Sequence, residues 1–188
     1  MVAHFDYDYN KGSSTTNSRG VMWIPRTILG NAQMNSTDVT TGGYKGSAMN
    51  SSTIPSVVTK LQSVLGSYLA KRSLLLSNAV STSGASMAGA GLVGYSSGWQ
   101  WVDCYAALPN EVQIYGSTVF NSSFYDIGEA CEKLAVFNFI NHVEFSRSNF
   151  WLRSVANSTA FCFAGGYGYA DRGNASASHG VRPLIVTN

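Results

Sequence analysis

The chain has 188 residues, of which 45% are hydrophobic and only 12% are charged, so it predicts one folded domain and excludes a disordered chain. The net charge is +2 and the only adjacent basic pair is Lys71-Arg72, so the basic footprint of a nucleic-acid-binding protein is absent. No apolar stretch reaches the roughly 18 residues that cross a bilayer, so we expect no membrane insertion. The N-terminus, MVAHFDYDYN, lacks the pattern of a signal peptide.

The N-terminal part predicts an arm and a first strand. Residues 1–20 are polar and predict an N-terminal arm without regular structure, ahead of a single domain over residues 21–188. Residues 21–28 predict a strand, which Pro25 confines to a sheet edge or a bulge.

One helix is predicted from its cap and its periodicity. Pro55 suits the first turn, after a cap at Ser52 or Thr53. Apolar residues then recur at spacings of three and four as far as Leu69. Gly66 predicts a close approach to a neighbouring element. The basic pair that follows suits the negative end of the helix dipole.

The central part of the chain predicts two strands separated by a long loop. Residues 73–80 and 99–105 predict the strands, and the Gly-, Ser- and Ala-rich residues 81–98 predict the loop. Residues 108–120 suit either a short helix or a strand, and we favour a helical turn that leads into a strand.

The C-terminal part predicts four strands, over residues 150–155, 159–164, 167–170 and 181–187. A turn at Gly165-Gly166 separates the second strand from the third. Trp151 is a predicted core residue. Alternation predicts that Phe161 and Phe163 share one face of their strand.

Three cysteines are odd in number and far apart, so a disulfide framework is not expected. No CxxC motif is present, and we expect each thiol to be a small buried hydrophobic group. The cysteines are Cys104, Cys131 and Cys162.

Two arginines, Arg153 and Arg182, stand inside apolar strands. A buried unpaired charge is costly, so we expect each to pair with a carboxylate or with loop carbonyl groups. A ligand-binding role is the alternative. The candidate carboxylates are Asp103, Glu111 and Glu129.

Several short motifs follow one another in an order that resembles a known family. They are WIPRT at residues 23–27, GGYKGSAM at 42–49, EVQIYGS at 111–117, FWLRSVA at 150–156 and GVRPL at 180–184. Over residues 20–187 the chain resembles minor structural, tail-associated proteins of bacteriophages and prophages of gut Firmicutes. That family is similar to the C-type-lectin-like fold in its formylglycine-generating-enzyme branch. The variable proteins of diversity-generating retroelements use the same architecture.

The resemblance implies an α+β fold with a small mixed or antiparallel sheet, one or two helices and long irregular loops. It also implies that the first and last strands lie together, here residues 21–28 and 181–186. The residues of the implied structural frame are Trp23, Trp151, Arg153 and Arg182.

Residues 154–180 resemble the variable surface of such proteins. Adenine mutagenesis of Asn codons in those systems does not produce Lys, Glu, Gln, Met or Trp, and this segment contains none of them. Tyr offers a large contact area at low entropic cost, while Ser, Gly and Asn offer adaptable hydrogen bonds. The alternative is a solvated loop without a partner. The predicted ligand-binding residues are Asn157, Tyr167, Tyr169, Asp171, Arg172, Asn174, Ser176, Ser178 and His179.

Sequence motifs of catalysis and of metal binding are missing. The three histidines form no H-x-x-x-H pattern, no Cys/His group has zinc spacing, and no G-x-S-x-G elbow occurs. The E-P-N, Q-P-D and W-N-D motifs of calcium-binding lectins do not occur either. We therefore expect no catalytic residue, no metal and no cofactor.

Three function hypotheses follow. The first is a receptor-binding or adhesin domain of a phage tail, with a bacterial cell-surface protein or glycan as its ligand. Several weak contacts in a homo-oligomer, for example a trimer at a fibre end, would add up through avidity. The second is a virion structural or decoration protein that contacts other tail proteins, and the third is a formylglycine-generating-type oxidase. The expected location is the virion tail, the extracellular space or a cell surface.

Overall fold

The computed structural model describes residues 1–12, 16–76, 100–120, 132–139 and 147–188. Within these residues the fold consists mainly of sheet with a few short helices, in agreement with the predicted α+β class. The helices are α1 (Ile54–Leu65), α2 (Glu111–Tyr115) and α3 (Val136–Phe139). The strands are β1 (Val2–Phe5), β2 (Val21–Trp23), β3 (Asn31–Gln33), β4 (Arg72–Leu76), β5 (Gln100–Cys104), β6 (Ala106–Ala107), β7 (Phe150–Val155), β8 (Ala160–Ala164), β9 (Ala170–Asn174), β10 (Ser178–Gly180) and β11 (Leu184–Thr187).

The strands of the described residues form three sheets where one small sheet was predicted. The terminal sheet has the order β1-β2-β11-β6 and is antiparallel. The central sheet has the order β3-β10-β7-β8-β9 and is mixed, because β10 and β7 run parallel where Gly180 lies beside Phe150. Strands β4 and β5 form an antiparallel pair.

The predicted pairing of the first and last strands is present in the terminal sheet. Strand β11 pairs with β2, so that Ile185 lies opposite Trp23. The Trp23 indole N–H donates to the Thr187 hydroxyl at 2.9 Å. Both strands are shorter than predicted: β2 ends two residues before Pro25 and β11 begins directly after Pro183, and proline has no N–H to donate to a ladder.

The prediction that residues 1–20 lack regular structure is wrong for β1, which pairs with β2. Its Ala3 side chain lies in the core and its Phe5 side chain is exposed, so its burial does not alternate. Four residues are too few for a clear periodic signal, and this strand exists because a neighbouring strand supplies its hydrogen bonds. Residues 13–15 of the predicted arm lie outside the described residues.

Helix α1 has Pro55 in its first turn as predicted, but the predicted cap is not formed, because Thr53 at the N-cap position is helical and its side chain makes no capping hydrogen bond. The helix ends at Leu65, because Gly66 adopts a positive φ of 55°. Among the described residues, nothing lies within 4 Å of the position that a Cβ of Gly66 would occupy, so the predicted close approach is not found there. The predicted helix-dipole role of the basic pair is also wrong, because Arg72 begins β4.

Helix α2 confirms the predicted helical turn, but the strand predicted after it is not formed. The side chain of Asn110 accepts a hydrogen bond from the Gln113 N–H at 2.8 Å, and the Gln113 side chain accepts from the Asn110 N–H at 2.9 Å. This reciprocal cap starts the helix. Gly116 ends it with φ 84°, and residues 116–120 form bends.

The C-terminal strands agree with the prediction in part. Strands β7 and β8 are confirmed, whereas β9 begins at Ala170 and the predicted strand over residues 167–170 is mostly turn. Residues 181–183 are not in a strand, and β10 was not predicted. The loop predicted over residues 81–98 lies outside the described residues, as do Glu129 and Cys131.

The central sheet is covered on both faces around β7 and β8, in which every residue is buried. One face, here called the Trp151 face, carries Trp151, Phe161 and Phe163. The opposite Cys162 face carries Phe150 and Cys162. The predicted alternation of β8 is therefore confirmed, and these two strands form a rigid support for the hairpin that follows.

Candidate functional site

The turn between β8 and β9 projects one tyrosine and holds another. The Tyr167 side chain is 84% exposed and that of Tyr169 is 47% exposed. A Cβ at Gly165 would overlap the Tyr169 ring, so the ring lies directly over the glycine backbone. The Tyr169 ring also meets Phe163 edge-on, with the ring centroids 6.4 Å apart. Tyr169 is thus fixed, while Tyr167 is directed into solvent.

The Trp151 face of the central sheet holds His179. Its ring centroid lies 4.5 Å from that of Trp151 and 4.4 Å from that of Phe163. Gly173 leaves the space for it, since a Cβ there would lie 2.9 Å from the His179 Nε2. Burial lowers the pKa of His179, although the Asp171 carboxylate acts in the opposite direction. This predicted ligand-binding residue is therefore half-buried and neutral at pH 7.

The Cys162 face presents Arg172, which lies opposite Cys162 in the ladder and is exposed. Its guanidinium carbon lies 5.7 Å from the centroid of the Phe120 ring, within reach of a cation–π interaction. Its backbone N–H donates to the Asp171 carboxylate at 2.8 Å. The two neighbours Asp171 and Arg172 thus point to opposite faces of β9.

A corner of the site is organised by Asp38, which the sequence did not single out. Its carboxylate accepts from the Ser176 N–H at 3.0 Å, from the Ser176 hydroxyl and from the Asn174 side-chain amide at 2.9 Å. The hydrogen bond from the Ser176 hydroxyl, followed by that from its N–H, lowers the pKa of Asp38. Because 136 residues separate Asp38 from Asn174, no local pattern indicates this contact.

Asn157 lies at the other end of β8 from the tyrosines. Its side-chain oxygen accepts from the Thr159 and Ala160 N–H groups, both at 2.9 Å. Its carbonyl accepts from the Thr40 hydroxyl at 2.7 Å. Ser178, also exposed, lies on β10 opposite Gln33 of β3. The nine predicted ligand-binding residues therefore occupy several separate places around the β8–β9 hairpin.

The two frame arginines are buried and their guanidinium groups meet backbone carbonyls. Arg182 donates from Nε to the Pro25 carbonyl at 2.8 Å, and its guanidinium lies 4.9 Å from the Phe150 ring centroid. Burial lowers the pKa of Arg182 to about 10, so it stays charged at pH 7. Arg153 donates from Nη1 to the Leu108 carbonyl at 3.4 Å.

Two of the carboxylates predicted to pair with these arginines have other partners. Asp103 lies 3.4 Å from the Lys71 ammonium at the surface. Glu111 is fully buried and accepts from the Val119 N–H at 2.8 Å and from the Phe120 N–H at 3.1 Å. Glu111 thereby fixes the backbone that carries Phe120 beside the hairpin.

Cysteine is a nucleophilic residue type when it is deprotonated, so the protonation state of Cys162 bears on catalysis. Burial, followed by the nearby Glu111 carboxylate, raises the pKa of its thiol. The thiol is therefore protonated at neutral pH, and a protonated thiol is a poor nucleophile. Across the described ranges, no three His, Cys, Asp or Glu residues lie close enough together to hold a metal ion.

A buried polar network ties the N-terminal segment to β4, and no local sequence pattern indicates it. Arg72 forms a bidentate pair with Asp8, including a 3.0 Å hydrogen bond from its Nε. Asn17 donates to the Ser73 carbonyl at 3.0 Å and accepts from the Ser73 N–H at 2.8 Å. Asn17 therefore satisfies the backbone N–H and C=O groups of Ser73 as a neighbouring strand would.

No protein-family model matches the chain, and no curated protein or solved structure is significantly similar to it. None of the helices in the described part of the chain is long and apolar enough to cross a membrane.

Proposed function

We propose that this protein is a ligand-binding module of a phage or prophage tail, with a C-type-lectin-like domain whose β8–β9 hairpin contacts a bacterial cell-surface molecule. The motif order that resembles tail-associated proteins supports the phage context. The geometry of the hairpin supports the binding role.

The observation that carries this proposal is the contrast between β8 and the residues that follow it. Every side chain of β8 is buried, whereas Tyr167, Arg172 and Asn174 are exposed a few residues later. Side chains on such a support can change without loss of the core that β7 and β8 form. Rigid aromatic and adaptable polar groups together are typical of binding surfaces.

A binding role also agrees with the chemistry of the reactive groups. The Cys162 thiol is buried and protonated. The His179 ring is packed against two aromatic rings. Neither group is placed to act on a substrate in solvent, so the oxidase hypothesis has no support from these residues.

The test is binding of the fluorescently labelled, multimerised protein to intact cells from a panel of gut Firmicutes. We expect saturable binding to some strains, and we expect Tyr167→Ala to weaken it by about tenfold or more, because exposed tyrosines are frequent binding hot spots. The matched control is Tyr68→Ala, which removes another tyrosine, 69% exposed, three residues after the end of α1. Equal binding by the two variants on every bound strain would contradict the proposal.

A second candidate function is that of a virion structural protein, and an apolar cleft favours it. The cleft has a volume of about 370 Å³ and lies between α1 and the terminal sheet, where Leu61 and Leu65 face Trp23 and Ile185. Beside it, the Val64 side chain is 82% exposed. Exposed apolar surface of this kind is typical of a contact with another protein.

A substitution that introduces a charge into the apolar surface distinguishes the two functions. Val64→Glu leaves the core unchanged, because Val64 is exposed. For a structural protein, we expect this variant to be lost from assembled particles while Tyr167→Ala is incorporated normally. Cell binding that depends on Tyr167 and not on Val64 favours the binding module.

A further inference from the structure

Strand β9 is an edge of the central sheet. In the described part of the chain it pairs only with β8. It has five residues, against three in β3 at the opposite edge. An edge strand presents a row of backbone donors and acceptors that another strand is able to use.

The register shows which backbone groups of β9 point outward. Gly165 donates to the Tyr169 carbonyl and Ala175 donates to the Thr159 carbonyl, both at 2.8 Å. Hydrogen-bonded pairs alternate in an antiparallel ladder, so Asp171 and Gly173 bond to β8. The N–H and C=O groups of the other three residues therefore point away from β8. These residues are Ala170, Arg172 and Asn174.

The hydrogen bonds around the strand agree with this register. The Arg172 N–H donates to the Asp171 side chain and not to β8. The Asn174 carbonyl is used by the Ala177 N–H at 2.8 Å. Within the described residues, the Arg172 carbonyl and the Asn174 N–H are left for a further strand.

We propose that the ligand is a protein, and that an extended segment of it adds to the outer edge of β9 as a further strand. This inference rests on the proposed binding function and narrows its ligand to a polypeptide. The ligand backbone would bond to the Arg172 carbonyl and the Asn174 N–H, while the exposed side chains near the hairpin would select its sequence. A glycan has no regular row of amide groups and does not match this edge.

The experiment compares two substitutions at one position. Arg172→Ala and Arg172→Pro both remove the guanidinium group, but only proline places a ring on the outer edge, beside the free Arg172 carbonyl, where it would block an added strand. Proline is tolerated on an edge strand where its nitrogen faces away from the sheet, so the β8–β9 ladder is kept. Circular dichroism and thermal unfolding check that both variants are folded.

The probe is a display library of unconstrained 12-residue peptides, selected on the wild-type protein. We expect enriched peptides to bind Arg172→Ala within a few-fold of wild type and Arg172→Pro at least about tenfold more weakly. Two synthetic versions of each enriched peptide carry N-methyl groups, one on the odd-numbered amides and one on the even-numbered amides. Only one of the two versions should lose binding, because only one of these rows of peptide N–H groups faces β9. This peptide series decides the question even if Arg172→Pro does not fold.

The inference is overturned if no peptide is enriched, or if both alternations of N-methylation are tolerated. Equal peptide binding by folded Arg172→Pro and Arg172→Ala also overturns it. If the protein still binds cells and this binding depends on Tyr167, these outcomes do not affect the proposed function. The ligand is then a glycan or a protein bound through side chains alone. If the wild-type protein binds none of the tested cells, the proposed function itself is overturned.

Discussion

The environment of His179 shows how one residue is changed by its neighbours. In the sequence it is a polar residue in a polar segment and suits a binding surface. In the fold its ring packs between two aromatic rings, in space that Gly173 leaves open. A half-buried imidazole of this kind contributes to stability through its neutral form.

The pH dependence of stability tests this packing. Burial lowers the pKa of folded His179 below its ordinary value of 6.5, so the unfolded chain takes up the proton first as the pH falls. The stabilisation is complete above that value and is lost as the pH falls below it. We expect the melting temperature of wild type to fall more than that of His179→Gln between about pH 7.5 and about pH 5.5. An identical fall in both proteins would show that the ring is solvated.

The sequence predicted single residues well where the reason was local, and poorly where it was not. The alternation in β8 predicted the shared face of Phe161 and Phe163 because strand periodicity is a property of neighbouring residues. The role of Asp38 was missed because its partners lie more than 130 residues away. The side chain of Asn157 is occupied by its own turn, which composition alone does not indicate.

At the scale of elements, the short strand β10 connects β3, at one edge of the central sheet, to β7 in its middle. It pairs antiparallel with β3 and parallel with β7, where Gly180 lies beside Phe150. The Gly180 N–H donates to the Asn149 carbonyl at 2.9 Å. This close approach requires a residue without a side chain.

Gly180→Ala tests this junction. The new Cβ would lie 2.8 Å from the Asn149 carbonyl oxygen and would overlap the Ile28 side chain. We expect a loss of about 1–3 kcal/mol in the free energy of unfolding, measured in urea, because a backbone atom yields less easily than a side chain. Ser178→Ala, an exposed position on the same strand, should change it by about 0.5 kcal/mol or less. Similar values for both variants would show that β10 is loosely attached.

Elements were predictable in proportion to their length and local signals. Helix α1 has proline in its first turn, β7 begins with three large apolar residues, and β8 is a continuous apolar run. Strands β1 and β10 have four residues or fewer and depend on partners that are distant in sequence. The end of α1 was placed too late because Gly66 was interpreted as a packing residue.

At the scale of the whole molecule, the Asp8–Arg72 pair holds the N-terminal segment against β4. Both side chains are buried, and 64 residues separate them. The sequence predicted a separate arm because the polar composition of residues 1–20 is typical of a surface segment. A buried ion pair looks the same in a sequence as an exposed one, so composition does not reveal it.

Asp8→Asn tests whether this attachment holds the molecule together. The substitution leaves the Arg72 guanidinium buried without its anion, and we expect a loss of about 3–5 kcal/mol in the free energy of unfolding. The control is Asp103→Asn, which breaks the exposed pair with Lys71 and should cost about 1 kcal/mol or less. Urea denaturation measures both. Equal small losses would show that the N-terminal segment contributes little to the fold.

The terminal sheet also has a mechanical consequence. Strands β1 and β11 both run antiparallel to β2, which lies between them, so they point in the same direction. Tension applied between Met1 and Asn188 would slide these strands past one another instead of peeling them apart. Hydrogen bonds perpendicular to the strands then share the load, so we expect the domain to resist pulling between its ends.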